Sequence, residues 1–421
     1  MNPEPREGTY RSAILNRRVF ICVITGIVSG MPLYILIQMI PAWLRDDGVS
    51  LVDIGLLSLV QIPYAWKFVW APLLDRWAPP FLGRRRGWIL VFQVCLLAVV
   101  GLMGAIDPSG PKVLVAGFAL TIALFSASQD IVIDAYRREL LPEEELGIGN
   151  AVHVQAYRIS SLVPGSLSLI LADFMAWSVV FWITAAFMSV GILLSLWVKE
   201  PETEVRESTG LWDTLSSPFI EYLNRRSWSG LLMILSFMVL YKLGDNMATA
   251  LSTPFYQDMG FSLAEIGTVA KHAALWPAII GGLLGGVVMI RLGINRALWI
   301  FGVVQMLSIL GFAVLASHGH NLWLLAAVIS FEYLGVGLGT AAFTAFIARE
   351  TSRTFAAAQF ALFTALASLP RTFASASTGY LVESLGWVDF FLLCTALAIP
   401  GMLLLVKVAP LSSKEMQTGA P

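Results

Sequence analysis

Ionisable side chains stand inside long apolar stretches of this 421-residue chain, several residues from the ends of those stretches. Five are basic: Lys67, Arg158, Lys242, Lys271 and Arg371. Four are acidic: Asp130, Asp134, Asp245 and Glu332. A cation at the centre of a membrane helix costs roughly 2.5–3.5 kcal/mol on insertion scales, so such groups face a cavity or one another. Cations can bind an anionic solute and acids can carry protons, so these residues predict a transport pathway with a coupling ion.

The four acids are the candidate proton-coupling residues, and two of them stand close together in the chain. Asp130 and Asp134 are one helical turn apart, which predicts that they share a face. Asp130 lies deeper in its apolar stretch and is the stronger candidate. A structural ion pair with Lys67, Arg137 or Arg158 is the alternative reading for either acid.

The other two acids lie in the second half of the chain. Asp245 follows Lys242 by three residues, so the two can pair with each other or reach across a cavity. Glu332 lies near the middle of an apolar stretch, where a lone carboxylate has few structural explanations. We therefore expect Glu332 to take part in coupling. His272, beside Lys271, is expected to pack on a neighbouring residue.

The five buried cations are the candidate substrate-binding residues. Arg158 and Arg371 are the strongest candidates, because they stand at mid-depth in equivalent stretches of the two halves. An arginine offers a fixed fork of donors that suits a carboxylate or phosphate. Neutralisation of Asp130 or Glu332 is the alternative role, and both roles are compatible with one transport cycle.

The composition indicates that the chain that carries these residues is an integral membrane protein. The chain is 57% hydrophobic and 13% charged, with a mean hydropathy of +0.75, whereas soluble domains are about 25% charged. The net charge of −1 gives no reason to expect a nucleic-acid partner. Three cysteines, Cys22, Cys95 and Cys394, lie far apart in apolar segments and predict neither a disulfide framework nor a metal site.

Twelve stretches are long enough to cross a bilayer, which takes about 20 mostly apolar residues. They fall in two sets of six, separated by the longest polar stretch. The predicted spans are 19–44, 51–74, 87–106, 112–136, 148–172, 177–198, 230–257, 262–290, 296–317, 321–347, 355–382 and 387–408. The predicted domains are an N-terminal bundle (1–198), a cytoplasmic linker with an interfacial amphipathic helix (199–229) and a C-terminal bundle (230–421). This arrangement predicts an all-α membrane protein of the major facilitator superfamily fold.

The distribution of basic residues predicts the orientation. With the N-terminus in the cytoplasm, cytoplasmic segments hold 20 of the 27 Lys and Arg residues, and the opposite face holds only Arg45 and Lys112. Such an excess is typical of cytoplasmic loops. We therefore expect both termini in the cytoplasm.

A basic loop follows the second predicted span. It contains Asp75 and Arg76, then Arg84 and Arg85 after a glycine. An aspartate at a helix end can pair with an arginine and latch one conformation of a transporter. A loop that only enforces membrane topology is the alternative.

Seven ordered segments resemble the AmpG-type muropeptide permeases. They are Gly30–Leu33, Trp66–Arg76, Gly83–Trp88, Ser126–Ala135, Tyr157–Arg158, Leu240–Asp245 and Phe331–Glu332. The resemblance implies a bacterial inner-membrane permease that imports anhydromuropeptides from periplasm to cytosol, using the proton motive force, for peptidoglycan recycling and, in some bacteria, β-lactamase induction. The favoured mechanism is proton-coupled alternating access between two rocking bundles.

The implied solute agrees with the residues. Its peptide carboxylates suit the buried cations, and its sugar rings suit the aromatic faces of Tyr34, Trp66, Tyr157 and Trp276. We expect the charged side chains to converge on one chamber, with the proton as coupling ion, no cofactor and a monomer in the bilayer. Related permeases of similar length move siderophores, which is the alternative substrate class. The absence of catalytic motifs in the sequence argues against an enzyme.

Overall fold

The computed structural model describes residues 16–108, 110–142, 145–200, 219–225, 227–352 and 356–411, and the regular elements in these ranges are helices. The first half contains α1 (Arg17–Tyr34), α2 (Ile40–Asp46), α3 (Leu51–Leu56), α4 (Ile62–Trp66), α5 (Ala71–Arg76), α6 (Arg84–Met103), α7 (Lys112–Leu140), α8 (Leu146–Ser160), α9 (Ser168–Ala172), α10 (Trp177–Ala186) and α11 (Ser189–Trp197). The second half contains α12 (Trp228–Ala250), α13 (Ser252–Asp258), α14 (Leu263–Glu265), α15 (Lys271–His318), α16 (Leu322–Glu350), α17 (Ala356–Ala376), α18 (Thr378–Leu385) and α19 (Trp387–Val408).

Several predicted spans are broken by short irregular turns. One-turn π-helices at Ile35–Met39, Val163–Leu167 and Ile266–Ala270 follow α1, α8 and α14. Such turns shift the hydrogen-bond register of a helix and occur often at functional sites. The predicted eighth and ninth spans are merged in α15, but Gly293 inside it has φ 71° and ψ 164° and ends the first of two helices. A positive φ suits glycine because it has no Cβ.

Nine helical stretches in the described part of the chain are long and apolar enough to cross a membrane. The longest, Leu263–His318, contains the break at Gly293 and so covers two predicted spans. The predicted fifth span is interrupted around Ser161 and Leu162, and the predicted eleventh is divided between α17 and α18. The total of twelve stays a prediction.

The described residues form two compact units. The N-terminal unit comes from Met1–Gly48 and Trp66–Glu207, and the C-terminal unit from Val49–Ala65 and Ser208–Pro421. The predicted domain limits place all of 1–198 in one bundle, whereas α3 groups with the second unit. Most of the predicted linker helix lies outside the described residues; within 199–229, residues 219–225 are helical.

Glycine explains why α3 packs so closely on α18. A side chain on Gly379 would collide with the backbone of Leu51 and Val52, and one on Gly55 would stand 3.0 Å from the amide nitrogen of Gly379. The amide of Val52 also donates to Glu383 Oε1 at 3.3 Å. Small residues let two helix backbones approach in this way.

Each unit has its own apolar core. Ile89, Val132 and Ile133 contribute to the core of the N-terminal unit, with Tyr136 and Phe92. In the C-terminal unit, aromatic rings dominate, and the core includes Phe237, Tyr241, Phe343, Phe346 and Phe363. Buried polar groups must find partners against such apolar surroundings.

Candidate transport site

Asp130 lies at the centre of a buried polar cluster in the N-terminal unit. It is carried by α7 and buried beneath α1, where Ser29 Oγ donates to its Oδ1 at 2.5 Å. Lys67 Nζ stands 3.7 Å from the other carboxylate oxygen, Oδ2, and about one third of the Lys67 side chain is exposed. The structure therefore gives Asp130 one of the partners that the sequence suggested.

Asp134 differs from the sequence expectation. Its side chain is 53% exposed, whereas that of Asp130 is 11% exposed. It pairs with Arg137 one turn farther along α7, at 3.0 Å. Two residues four apart are neighbours on one helix face, but the packing of other helices buries Asp130 and leaves Asp134 exposed. Asp134 is therefore a weak candidate for a buried proton-coupling group.

Arg158 and two tyrosines come together elsewhere in the N-terminal unit. The rings of Tyr34 and Tyr157 meet edge to face, with centroids 5.9 Å apart. The Arg158 charge is close enough to act electrostatically on Tyr34. Gly30 allows this contact between α1 and α8, because a side chain there would stand 2.5 Å from the Tyr157 carbonyl oxygen. Three predicted substrate-binding residues are thus neighbours.

The remaining predicted binding residues on α4 and α15 do not join one cluster. Trp66 is half exposed and stacks on Phe68, with ring centroids 6.2 Å apart. Trp276 is also half exposed and donates to His272 Nδ1 at 3.1 Å, as expected for a histidine packed on a neighbour. Lys271 is buried at the start of α15.

Three of the predicted residues form a buried ionic cluster in the C-terminal unit. Lys242 Nζ lies 3.3 Å from Asp245 Oδ2 within α12, and both side chains are almost fully buried. Glu332 on α16 is fully buried and accepts a hydrogen bond from Ser308 Oγ to its Oε2 at 2.5 Å. Its carboxyl group lies within hydrogen-bonding reach of that of Asp245. Two acids and one lysine therefore share this part of the unit.

A cavity of about 540 Å³ adjoins the ionic cluster. Predicted residues Lys242, Asp245 and Arg371 line it. The other lining residues are Asn246, Thr249, Tyr333, Val336, Thr340, Phe343, Thr344, Ile347 and Thr364. Most of the wall can donate or accept hydrogen bonds, which suits a polar solute.

Arg371 presents its guanidinium group from α17. Its Nε donates to the carbonyl of Ala367 on the same helix at 2.9 Å, which fixes the plane of the group. Asp245 exerts an electrostatic influence on it. The cavity therefore has a guanidinium and an ammonium group in its lining, and both can bind an anion.

The sequence reasoning missed the hydroxyl groups of this site. Thr340 and Thr344 stand one turn apart on α16, and Tyr333 lies on the same side two turns earlier. On α12, Asn246 and Thr249 continue the face that holds the ionic pair. Polar residues recurring at helical spacing inside apolar spans were the available signal. The candidates predicted within the spans were charged residues and a few aromatic ones, so these uncharged polar residues were not identified.

The predicted latch loop has two acidic partners, Glu139 and Glu200, that the sequence analysis did not name. Arg85 donates to Glu139 Oε1 through Nη2 at 2.6 Å, and Arg84 lies 3.6 Å from the same oxygen. Glu200 accepts hydrogen bonds from the backbone amides of Arg85 and of the next residue, at 2.7 and 3.0 Å. A carboxylate is stabilised at such a helix N-terminus. Arg76 is exposed, and the side chain of Asp75 lies outside the described part of the structure.

Apolar helices that carry buried acids and cations, with a polar cavity among them, define the class of multi-span membrane transporters. The sequence profile of the Major Facilitator Superfamily matches residues 22–374. A variant of the nucleoside transporter NupG superposes with a TM-score of 0.73 at 13% identity, covering 93% of this chain and all of that one. This similarity confirms the predicted fold.

Two bacterial relatives narrow the class. An uncharacterized protein of Haemophilus influenzae is 48% identical over 98% of this chain and 99% of its own length. The anhydromuropeptide permease of Escherichia coli K12 is 39% identical over 94% of this chain and 79% of its own length. The chain belongs to the AmpG-type permease family of the major facilitator superfamily.

Proposed function

We propose that this protein is a proton-coupled transporter that imports anhydromuropeptides across the bacterial inner membrane, from periplasm to cytosol, for peptidoglycan recycling. The similarity to the Escherichia coli permease supports the substrate class. The cavity of the C-terminal unit carries the proposal, since it combines two cations with a hydroxyl-rich wall.

In this proposal, Lys242 and Arg371 bind a carboxylate of the peptide. An arginine can hold both carboxylate oxygens, and its orientation is already fixed by the bond to Ala367. Thr340, Thr344 and the other hydroxyl groups of the wall bind the sugar. A cavity of about 540 Å³ is of the size that protein sites use for small polar ligands.

The same proposal assigns proton coupling to the buried acids. Asp130 in the N-terminal unit and Asp245 and Glu332 in the C-terminal unit each lie beside a lysine or a serine donor. The proton is the coupling ion, and the protein functions as a monomer with both termini in the cytoplasm. The excess of basic residues on one predicted face supports this orientation.

Uptake of labelled muropeptide into proteoliposomes tests the function. We expect accumulation when the outside is more acidic than the inside, and only equilibration when the two pH values are equal. Accumulation that is the same under both conditions would contradict proton coupling. Failure to take up the muropeptide under either condition would contradict the substrate.

The Arg371→Ala variant tests the cavity directly. Loss of the guanidinium group should reduce uptake at least about tenfold, because hydrogen bonds from charged donors contribute about 1.5–3 kcal/mol each. Arg296→Ala is the matched control, since Arg296 is an exposed arginine of the same unit outside the cavity lining. Equal uptake by the two variants, at equal protein levels, would contradict the proposed binding site.

A further inference from the structure

Asp245 and Glu332 are two buried acids whose carboxyl groups approach each other. They lie within hydrogen-bonding reach of each other, one on α12 and the other on α16. Glu332 Oε1 and Asp245 Oδ1 have no hydrogen-bond donor among the described residues. Their other oxygens face Ser308 and Lys242, respectively. The two oxygens without donors therefore belong to the two groups that approach each other.

An ionised carboxylate only accepts hydrogen bonds, so two ionised groups cannot bond to each other. Like charges at such a distance repel strongly inside a protein, and carboxyl pairs in this arrangement retain one proton. A single proton held by the pair lets one carboxyl group donate a hydrogen bond to the other. It also reduces the charge of the pair to −1, which Lys242 balances.

Among the described residues, Lys242 is the cation that acts electrostatically on Glu332. The titratable groups that interact electrostatically with the pair include Lys242, Tyr241 and Arg371 around Asp245, and Tyr256 and Cys394 around Glu332. Lys242 and Arg371 are the cations in this set, and both also line the cavity. An anion in the cavity would therefore compete with Asp245 for both of them.

We propose that Asp245 and Glu332 hold one proton between them, and that an anionic group of the solute draws Lys242 away from Asp245 so that the pair takes up a second proton from water. Asp245 then becomes a neutral carboxylic acid, and Lys242 pairs with the solute. The site gains one anion and one proton together. Because linkage is reciprocal, proton binding at the pair strengthens solute binding by the same factor.

The coupling rests on the proposed function, but the shared proton can be tested without any substrate. Infrared spectra of the purified full-length protein at neutral pH report the carbonyl stretch of protonated carboxyl groups. We expect one such band that disappears in both Asp245→Asn and Glu332→Gln. Each variant leaves a single acid, which ionises and pairs with Lys242.

Glu350→Gln is the matched control, because Glu350 is a buried glutamate of the same helix outside the cavity lining. The band should persist in this variant. A band that survives in Asp245→Asn would show that Glu332 holds the proton alone and would overturn the proposal. Absence of the band from the unsubstituted protein would overturn it as well.

Transport measurements then test the coupling. Accumulation driven by a pH gradient should be unchanged in Glu350→Gln but should fall at least about tenfold in Glu332→Gln. Full gradient-driven accumulation in this variant would overturn the coupling. If the unsubstituted protein does not transport muropeptides, the proposed function fails, whereas the infrared result still decides whether the proton is shared.

Discussion

The N-terminal and C-terminal units each contain a buried acidic site with a serine donor and a lysine, but the two sites differ in the number of acids. In both, a serine hydroxyl donates to a buried carboxylate at 2.5 Å: Ser29 to Asp130 and Ser308 to Glu332. In both, a lysine lies within ion-pair distance of an acid. Among the described residues, however, Lys67 has one acid within ion-pair distance, whereas Lys242 pairs with Asp245, which in turn approaches a second acid, Glu332.

The two lysines also differ in their access to solvent. The Lys67 side chain is 32% exposed, and that of Lys242 is 6% exposed. Water can partly replace a lysine that is itself partly exposed, whereas breaking a pair in which both side chains are buried leaves an uncompensated charge. The comparison therefore assigns the more sensitive charge balance to the C-terminal unit, where the cavity lies.

Replacement of each lysine should give the largest difference between the two units in uptake and in melting temperature. Lys242→Met leaves two buried acids without their cation, and breaking a buried pair costs about 3–5 kcal/mol. We expect at least about a hundredfold loss of uptake and a clear fall in the melting temperature of the purified protein. Lys67→Met, at the more exposed pair, should lose about tenfold or less. Equal losses in uptake and melting temperature would contradict the distinction.

A second substitution should restore part of the stability that Lys242→Met loses. Asp245→Asn in the Lys242→Met background removes the uncompensated charge, so we expect at least half of the lost melting temperature to return. The double-mutant cycle should show a coupling energy of about 1–3 kcal/mol, as for other contacting pairs. Gradient-driven uptake should stay absent, because the coupling group is gone. Purely additive losses would show that the two side chains do not act as a pair.

Substitution of the serine donors should have a smaller effect and compares the same change in both units. Ser29→Ala and Ser308→Ala each remove a hydrogen bond to an acid, and such bonds contribute about 1.5–3 kcal/mol when the acceptor is ionised. If Glu332 shares a proton with Asp245, its bond to Ser308 is closer to a neutral one. The melting temperature should therefore fall less in Ser308→Ala than in Ser29→Ala. The reverse order would argue that Glu332 is the more fully ionised acid.

The cavity hydroxyls should give the smallest effect. Thr340→Val preserves shape and removes one hydrogen-bonding group, so the KM for uptake should rise about two- to tenfold with little change in kcat. Thr395→Val is the control, because Thr395 bonds to the Phe391 carbonyl on α19 outside the cavity lining. An unchanged KM in Thr340→Val would remove that residue from the sugar-binding wall.

Much of the site could be predicted because charge is conspicuous in an apolar sequence. Lys242, Asp245 and Arg371 were found by type and depth, and the structure places all three on one cavity. The pairing of Asp130 with Lys67 was among the alternatives read from the sequence. A single common chamber for the charged groups of both halves stays a prediction, as does the orientation.

Other features depended on contacts that no local pattern records. Asp134 satisfies the same helical spacing as a buried acid but is exposed, because burial depends on which neighbouring helix covers the face. Glu139 and Glu200, the partners of the basic loop, lie more than 50 residues from the arginines that they contact. Spacing along a chain fixes neighbours on one helix and does not select the helix opposite.

The sequence alone determined that this is a helical membrane protein with ionised groups inside its spans, because hydrophobicity and charge act residue by residue through the cost of leaving water. It also determined the family, through ordered segments shared along the chain. Only the tertiary structure decided that α3 groups with the C-terminal unit, that Ser308 serves Glu332, and that Asp245 and Glu332 meet. Those pairings arise from close packing between distant segments, where the absence of a glycine side chain or the position of one helical turn selects the partner.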